Sequence, residues 1–337
     1  LDGLERPGPH ASSRYRHSPV HRNRHRNARM STTPPRMSNE TRGLWLGLVG
    51  VTVFALTLPM TRLATGPVDA PQLSPWFITF ARVVIAGALS AVFLLATRSP
   101  WPRPHQRKPL FIAVLGNALG FPLLLGLALR EVSSGHAAVL TALLPMTTAV
   151  MAAWVLHQRA RLGFWLCAGL GTALVVAFSL LRAWQQAGHF AFEWADGLLL
   201  GAMLCASLGY VYGARVTPEL GAERVICWMC LMALPVALPV AWATWPDQSI
   251  QPIRATSWMA LAYVGTFSMW AGFFAWFRGL AIGGALRVSQ VQLLQPFISI
   301  LAAVPLLGEP LEAITLVFAL AVVATVFMGK RLALPVR

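Results

Sequence analysis

Long apolar segments fill most of the chain after residue 42, and they restrict what it can fold into more than any other feature of the sequence. Most of them approach the roughly 20 residues that an α-helix needs to cross the hydrocarbon core of a bilayer. We therefore predict an all-α integral membrane protein. Ten spans are predicted, at Leu44–Leu63, Trp76–Ala96, Leu110–Leu129, Gly135–Leu156, Leu162–Leu181, Gly197–Val216, Val225–Ala243, Trp258–Phe277, Ala285–Leu306 and Ile314–Met328.

The low charge content excludes a soluble fold. Charged residues make up 12% of the 337 residues and hydrophobic residues 56%, whereas soluble domains carry about 25% charged residues. So few charges cannot cover the outside of a soluble protein of this size. Lipid is the solvent that accommodates such a surface.

The distribution of the formal net charge of +15 indicates membrane orientation rather than nucleic-acid binding. Cations concentrate in the first 42 residues and in alternate loops such as Arg98–Lys108 and Arg159–Arg161. The loops Thr65–Ser74 and Gly308–Ala313 contain none. By the positive-inside rule this alternation places both termini on the cytoplasmic side of the cell inner (plasma) membrane and requires an even number of spans.

The first 42 residues differ in kind from the rest of the chain. They are rich in Arg, His, Pro and Ser and have almost no apolar periodicity, so residues 1–42 are predicted to be a disordered basic segment. No apolar stretch of signal-peptide type follows the basic run before the first long span. The chain begins with Leu, and we expect its true start at Met30 or Met37.

The two halves of the chain resemble each other. A Leu–Pro–Leu pattern recurs with the same spacing, at Leu129, Pro145 and Leu156 in the first half and at Leu280, Pro296 and Leu307 in the second. Gly-Leu-x-Leu-Gly at 43–47 recurs at 197–201. Each half holds five spans, an odd number, so the second half must insert upside down relative to the first. We predict a first repeat over 43–182 and a second over 195–330.

The end of the second half carries the most specific motif, Gln295-Pro296 followed by Leu306-Leu307-Gly308-Glu309-Pro310-Leu311. With Leu144-Pro145 in the first half and Arg82 in span two, the sequence resembles the EamA-type branch of the drug/metabolite transporter superfamily. It departs from the family pattern at Gln158, where the family has Glu. The resemblance implies ten transmembrane helices in two inverted five-helix EamA repeats around a central cavity. It also implies alternating-access transport of small metabolites. The family includes amino-acid exporters.

We therefore expect a secondary transporter that moves an amino-acid-like or related solute, with export as the expected direction. Its partners would be this small molecule and the lipid bilayer, with no nucleic acid; a homodimer is left open. The alternative is a polytopic membrane enzyme acting on a lipid-linked substrate. Such enzymes place His, Asp or Glu clusters or a metal near an interface, whereas the four His residues between the spans are scattered one to a loop. We predict no catalytic residue, no cofactor and no metal.

Span nine contains the best candidate substrate site. Gln292, Gln295 and Ser299 lie on one helical face, at positions i, i+3 and i+7. Polar side chains in a span are costly unless they line a cavity or pack on another polar helix. Pro296 frees a backbone carbonyl one turn earlier and so adds a hydrogen-bond acceptor. Cavity lining is favoured over packing for this stripe.

Four further residues complete the predicted cavity: Asn117 in span three, Thr141 in span four, Tyr210 in span six and Trp270 in span eight. Asn117 follows Gly116, which with Gly120 forms a small-residue face for close helix approach. Its amide suits a substrate contact and an interhelical hydrogen bond equally well. For the aromatic-rich stretch of span eight, packing is the more common role.

Arg82 is the one cation predicted inside the membrane. Its guanidinium suits a substrate carboxylate or helix-end carbonyls, but it lies only about two turns into span two, so snorkelling to the outer surface is favoured. No Asp or Glu lies centrally in any predicted span. Because a proton relay usually needs such a buried group, we expect facilitated flux or exchange.

Overall fold

Helices form all the regular secondary structure in the part of the chain that the computed structural model describes. This part covers residues 38–66, 70–131, 142–187, 194–246, 252–307 and 313–332. The all-α prediction is confirmed for these residues. The expected starts at Met30 and Met37, and nearly all of the predicted basic segment, lie outside them.

The helices are named in chain order, and four of them consist of consecutive segments. They are α1 (Asn39–Ala55 and Thr57–Thr65), α2 (Pro75–Ala96), α3 (Pro104–Ala113, Val114–Gly120 and Phe121–Glu131), α4 (Leu144–Val155), α5 (Leu162–Ala187), α6 (Trp194–Leu220), α7 (Ala222–Ala243), α8 (Ala255–Tyr263, Val264–Ala271 and Gly272–Gly283), α9 (Ala285–Val288, Ser289–Leu294 and Gln295–Leu307) and α10 (Ala313–Leu332).

Among the described residues, seven helices are long and apolar enough to cross a membrane. These are α1, α2, α3, α6, α7, α8 and α9. Three shorter apolar helices, at Leu144–Val155, Leu162–Phe178 and Leu316–Gly329, fall where the other three spans are predicted. The chain is therefore a multi-pass membrane protein.

Serine, proline and glycine residues set several of the helix ends. Ser38 precedes α1 and its Oγ accepts a hydrogen bond from the Thr41 amide at 3.2 Å. Ser74 caps α2 in the same way, and Pro75 in the first turn has no amide proton that would need a partner. Gly221 separates α6 from α7 with a φ of 89°, a conformation that glycine adopts without steric cost.

Two close crossings between glycine-rich faces hold the bundle together. Where α1 crosses α8, a Cβ added at Gly43 would lie 2.4 Å from the Cα of Gly283. Where α3 crosses α6, a Cβ added at Gly116 would lie 2.3 Å from the carbonyl oxygen of Cys205. Only glycine permits backbones to approach this closely, which is the packing that small-residue faces produce in membranes. The predicted small-residue face of span three is present at this crossing.

The helices of the two halves pack against each other rather than forming separate bundles. Extensive contacts join α2 with α7, α1 with α8, α5 with α10 and α3 with α6. Further contacts join α4 with α6, α1 with α9 and α4 with α9. The largest buried cluster of apolar side chains lies between helices of both halves.

Within the described residues, α1 is interrupted at Leu56, and three other helices contain segments that are not α-helical. Val114–Gly120 of α3 and Val264–Ala271 of α8 are π-helical. In α9, a 3₁₀ segment, Ser289–Leu294, precedes the α-helix that begins at Gln295. Such interruptions mark functional positions in many helices. Asn117, Trp270 and Gln292 all lie in these segments.

Candidate functional site

The candidate site is built from polar groups on the inner faces of α2, α3, α6, α8 and α9. Its positive group is Arg82 of α2. Arg82 Nη2 donates to Met269 Sδ on α8 at 3.6 Å, and its Nε is buried without a hydrogen-bond partner among the described residues. The side chain therefore points between helices, and the expected snorkelling to the outer surface is wrong. The reason is that α2 packs on the π-helical segment of α8 at this level.

A hydroxyl pair lies next to Met269 in the same π-helical segment. Ser268 is buried, and its Oγ is 2.7 Å from Thr57 Oγ1 on α1. Thr57 begins the second segment of α1, directly after the break at Leu56. The pair joins α1 to α8 close to Arg82's contact with that helix.

Asn117 of α3 is buried in the crossing between α3 and α6. A Cβ added at Gly209 would lie 2.4 Å from Asn117 Cγ, so the amide packs directly on the backbone of α6. Asn117 Nδ2 has no hydrogen-bond partner among the described residues. The expected interhelical hydrogen bond, which would give this donor a partner, is thus not formed among the described residues.

Tyr210 follows Gly209 in α6 and is also buried. Its ring centroid lies 5.3 Å from Trp276 and 6.2 Å from Phe273, both on α8. Arg82 is the positive charge near its hydroxyl. Asn117 and Tyr210 therefore lie along one stretch of α6, and Arg82 lies within electrostatic range of Tyr210.

Trp270 points away from this group. Its Nε1 donates to Cys227 Sγ on α7 at 3.2 Å, and its ring packs on Phe93 of α2 and on Phe274. The structure therefore places Trp270 between α2 and α7. It does not bring Trp270 into ring contact with Tyr210 among the described residues.

Gln292 is the one described side chain with two buried polar atoms that lack a hydrogen-bond partner. It is 4% exposed, and both its Nε2 and its Oε1 lack a hydrogen-bond partner among the described residues. It belongs to the 3₁₀ segment of α9, which packs against α1, α4 and α10. Three residues make one turn of a 3₁₀-helix, so Gln292 and Gln295 keep a common face. Gln295, Pro296 and Ser299 follow in α9 and are partly buried.

The sequence predicts that span four also contributes to the site. The part of this span that packs on α9 is only partly described. Thr141 lies outside the described residues. Further along α4, the hydroxyl groups of Thr147 and Thr148 lie 2.8 and 3.2 Å from Ser207 Oγ on α6. Gln290 Nε2 donates to the Pro145 carbonyl at 3.4 Å and so joins α9 to α4.

A cleft opens at one end of α9. It lies between α1, α5, α9 and α10, and the residues that line it include Leu44, Phe164, Gln290 and Leu293. Arg287 and Glu40 form an ion pair at this cleft. Gln290 Oε1 is buried there without a partner among the described residues.

The sequence does not reveal the contact between Met269 of α8 and Cys230 of α7. Met269 and Cys230 are apolar or soft side chains in apolar helices, so no periodicity distinguishes them from core residues. Their relevance comes only from the contact between α7 and α8, where Cys230 Sγ lies 3.9 Å from the Met269 carbonyl.

Comparison with known proteins gives consistent matches over most of the chain. The model of the "EamA-like transporter family" matches residues 41–180 and again residues 193–329. "Uncharacterized transporter YdeK" of Bacillus subtilis is 37% identical over 296 residues, which cover 88% of this chain and 99% of that protein. "Aromatic amino acid exporter YddG" of Ancylobacter novellus is 26% identical over 269 residues, covering 76% and 87% respectively.

A solved crystal structure shares the fold. It has a TM-score of 0.67 and 22% sequence identity, and the match covers 87% of this chain and 98% of that one. At this identity the likeness shows the fold alone.

Proposed function

Because this chain belongs to the EamA-like transporter family of the drug/metabolite transporter superfamily, it is a membrane transporter rather than an enzyme, and we propose that it exports an amino acid or a related small solute by alternating access. The enzyme alternative is set aside because the family and both relatives are named as transporters. The partners that this function needs are the solute and the lipid bilayer.

The main support for the proposal is that the buried amide of Gln292 has no hydrogen-bond partner among the described residues. A buried amide without partners loses hydrogen bonds to water and regains none within the protein. Such a group is retained at a functional site more readily than in a packing interface, where a Leu of similar volume would serve. A solute with polar groups would supply the missing donor and acceptor.

We assign the chain to two inverted repeats, over 43–182 and 195–330, after a basic segment over 1–42. Two features support this. If α1–α5 correspond to α6–α10, the contact of α1 with α8 corresponds to that of α6 with α3, and the contact of α1 with α9 to that of α6 with α4. The interruptions also correspond, since π-helical segments occur in α3 and α8.

Alternating access would then use the helix starts that Pro145 and Pro296 mark in α4 and α9. Pro145 and Pro296 lie at the start of regular α-helix in these two helices. Discontinuous helices at the interface between inverted repeats form the substrate site in other secondary transporters. Rocking of one repeat against the other would expose Gln292 and Asn117 to opposite sides in turn.

The proposal also includes the orientation of the chain in the membrane and the direction of transport. The alternation of basic loops supports an inner-membrane protein with both termini cytoplasmic. The match to a protein named as an aromatic amino acid exporter supports export and a solute of that class.

The test is solute flux through purified protein in proteoliposomes. We expect wild-type protein to give saturable flux of an amino acid. The double variant Gln292→Ala, Gln295→Ala should insert normally and lose this flux. Gln106→Ala is the matched control, because Gln106, in the first turn of α3, is equally buried at 4% but is hydrogen-bonded to Glu219 of α6. Wild-type flux in the double variant would remove the site assignment.

A further inference from the structure

Arg82 lies among three helices of the second half. In addition to its contact with Met269 of α8, it is close enough to interact electrostatically with Tyr210 of α6 and Cys230 of α7. The aromatic side chains of Phe273 and Trp276 surround Tyr210. The guanidinium therefore lies among largely apolar and aromatic side chains inside the bundle.

No described carboxylate neutralises this cation. Glu219 binds His105, Glu223 binds Arg278 and Glu40 binds Arg287, all at helix ends. The hydrogen-bond acceptor that Arg82 has among the described residues is a thioether sulfur, which is a weak one.

A cation in this position is expensive. Charged side chains inside a membrane protein pair with one another, with backbone carbonyls or with a ligand, because the desolvation penalty is otherwise uncompensated. Arg82 has five N–H donors in a planar fork that matches a carboxylate in two parallel hydrogen bonds. The group that would complete it is an anion with that geometry.

We propose that Arg82 binds the carboxylate of the transported solute, and that the aromatic group of Tyr210, Phe273 and Trp276 contacts the solute's apolar part. This inference rests on the proposed function and names its substrate class, a solute that bears a carboxylate. Arg82 is thereby a specificity-determining residue for acids over their neutral analogues.

The experiment compares ligands that differ only at the carboxylate. Binding of L-phenylalanine and of L-phenylalaninamide to the full chain in lipid nanodiscs is measured by calorimetry, and flux of both in proteoliposomes. We expect the acid to bind wild-type protein roughly 10- to 150-fold more tightly, the range of charge-assisted hydrogen bonds. Equal affinity for acid and amide, or binding of neither, would overturn the inference.

Three variants sharpen this comparison. Arg82→Met keeps an unbranched apolar side chain without the charge and should bind acid and amide equally. Arg82→Lys keeps the charge without the fork and should retain part of the preference. Arg215→Met removes an exposed arginine of α6 and should behave as wild type. Undiminished preference for the acid in Arg82→Met would contradict the assignment, and if that variant does not fold, the wild-type comparison decides alone.

The failure of this inference can be told apart from failure of the transport proposal. Saturable wild-type flux of solutes without a carboxylate, at rates equal to those of the acids, refutes the role of Arg82 and leaves the transporter function standing. Absence of saturable flux for every solute refutes both.

Discussion

Replacing Gln292 with Leu separates the two roles that a buried amide can have in α9. Leu has a similar volume, so the contacts with neighbouring helices are retained. It carries no polar atom, so the two unpartnered groups, Nε2 and Oε1, are removed. If the amide exists only to bind the solute, its loss should stabilise the protein and impair transport at the same time.

The expected magnitude follows from the burial of the side chain. Gln292 is 4% exposed, and an unsatisfied buried polar group costs about 1–3 kcal/mol. We expect the free energy of unfolding to rise by about that amount, which corresponds to a melting temperature higher by roughly 2 °C per kcal/mol. We expect solute flux to fall by about tenfold or more, the effect of losing roughly 1.4 kcal/mol of binding.

The assay combines thermal unfolding of the purified variant with flux in proteoliposomes. Gln106→Leu is the control with the opposite sign. Gln106 is as buried as Gln292, but its Nε2 donates to Glu219 and its Oε1 accepts from the Arg103 amide, both at 2.9 Å. That variant should lose stability and keep its apparent affinity for the solute. A Gln292→Leu protein that is less stable than wild type yet transports normally would refute the reasoning.

Three other outcomes are expected. Gly43→Ala places a Cβ 2.4 Å from the Gly283 backbone and should destabilise the protein by about 1–3 kcal/mol in thermal unfolding, whereas Gly197→Ala, with nothing within 4 Å, should not; equal melting temperatures would contradict the crossing. A reporter that fluoresces only in the cytoplasm should be active when fused to the C-terminus, and a dark fusion would reverse the orientation. A pH gradient across proteoliposomes should not drive accumulation, and strong proton-driven uptake would show that a carboxylate relay exists after all.

Part of the site could be predicted from the sequence because polarity inside a span is conspicuous. Gln292 and Asn117 stand out as amides in apolar runs, and both are buried and partly or wholly unpartnered in the structure. The glycine face of span three was equally readable, since small residues at i and i+4 permit close approach. These signals lie within single helices, so they can be recognised without knowing which helices pack together.

Other features depend on tertiary contacts and could not be predicted. The inward direction of Arg82 follows from the packing of α2 on α8, which no pattern in span two reveals. The separation of Trp270 from Tyr210 depends on the rotation of α8, and the π-helical segment Val264–Ala271 changes that rotation relative to a regular helix. The 3₁₀ segment before Pro296 could not be predicted either, because a proline indicates that the helix is interrupted but not the geometry of the interruption.

Counterflow of radiolabelled L-phenylalanine into proteoliposomes loaded with unlabelled amino acid tests the central claim most directly. We expect wild-type protein to accelerate saturable exchange and unlabelled aromatic amino acids to compete. The double variant Gln292→Ala, Gln295→Ala should exchange no faster than empty liposomes. Exchange at the rate of empty liposomes for wild-type protein, across all the proteinogenic amino acids tried, would contradict it.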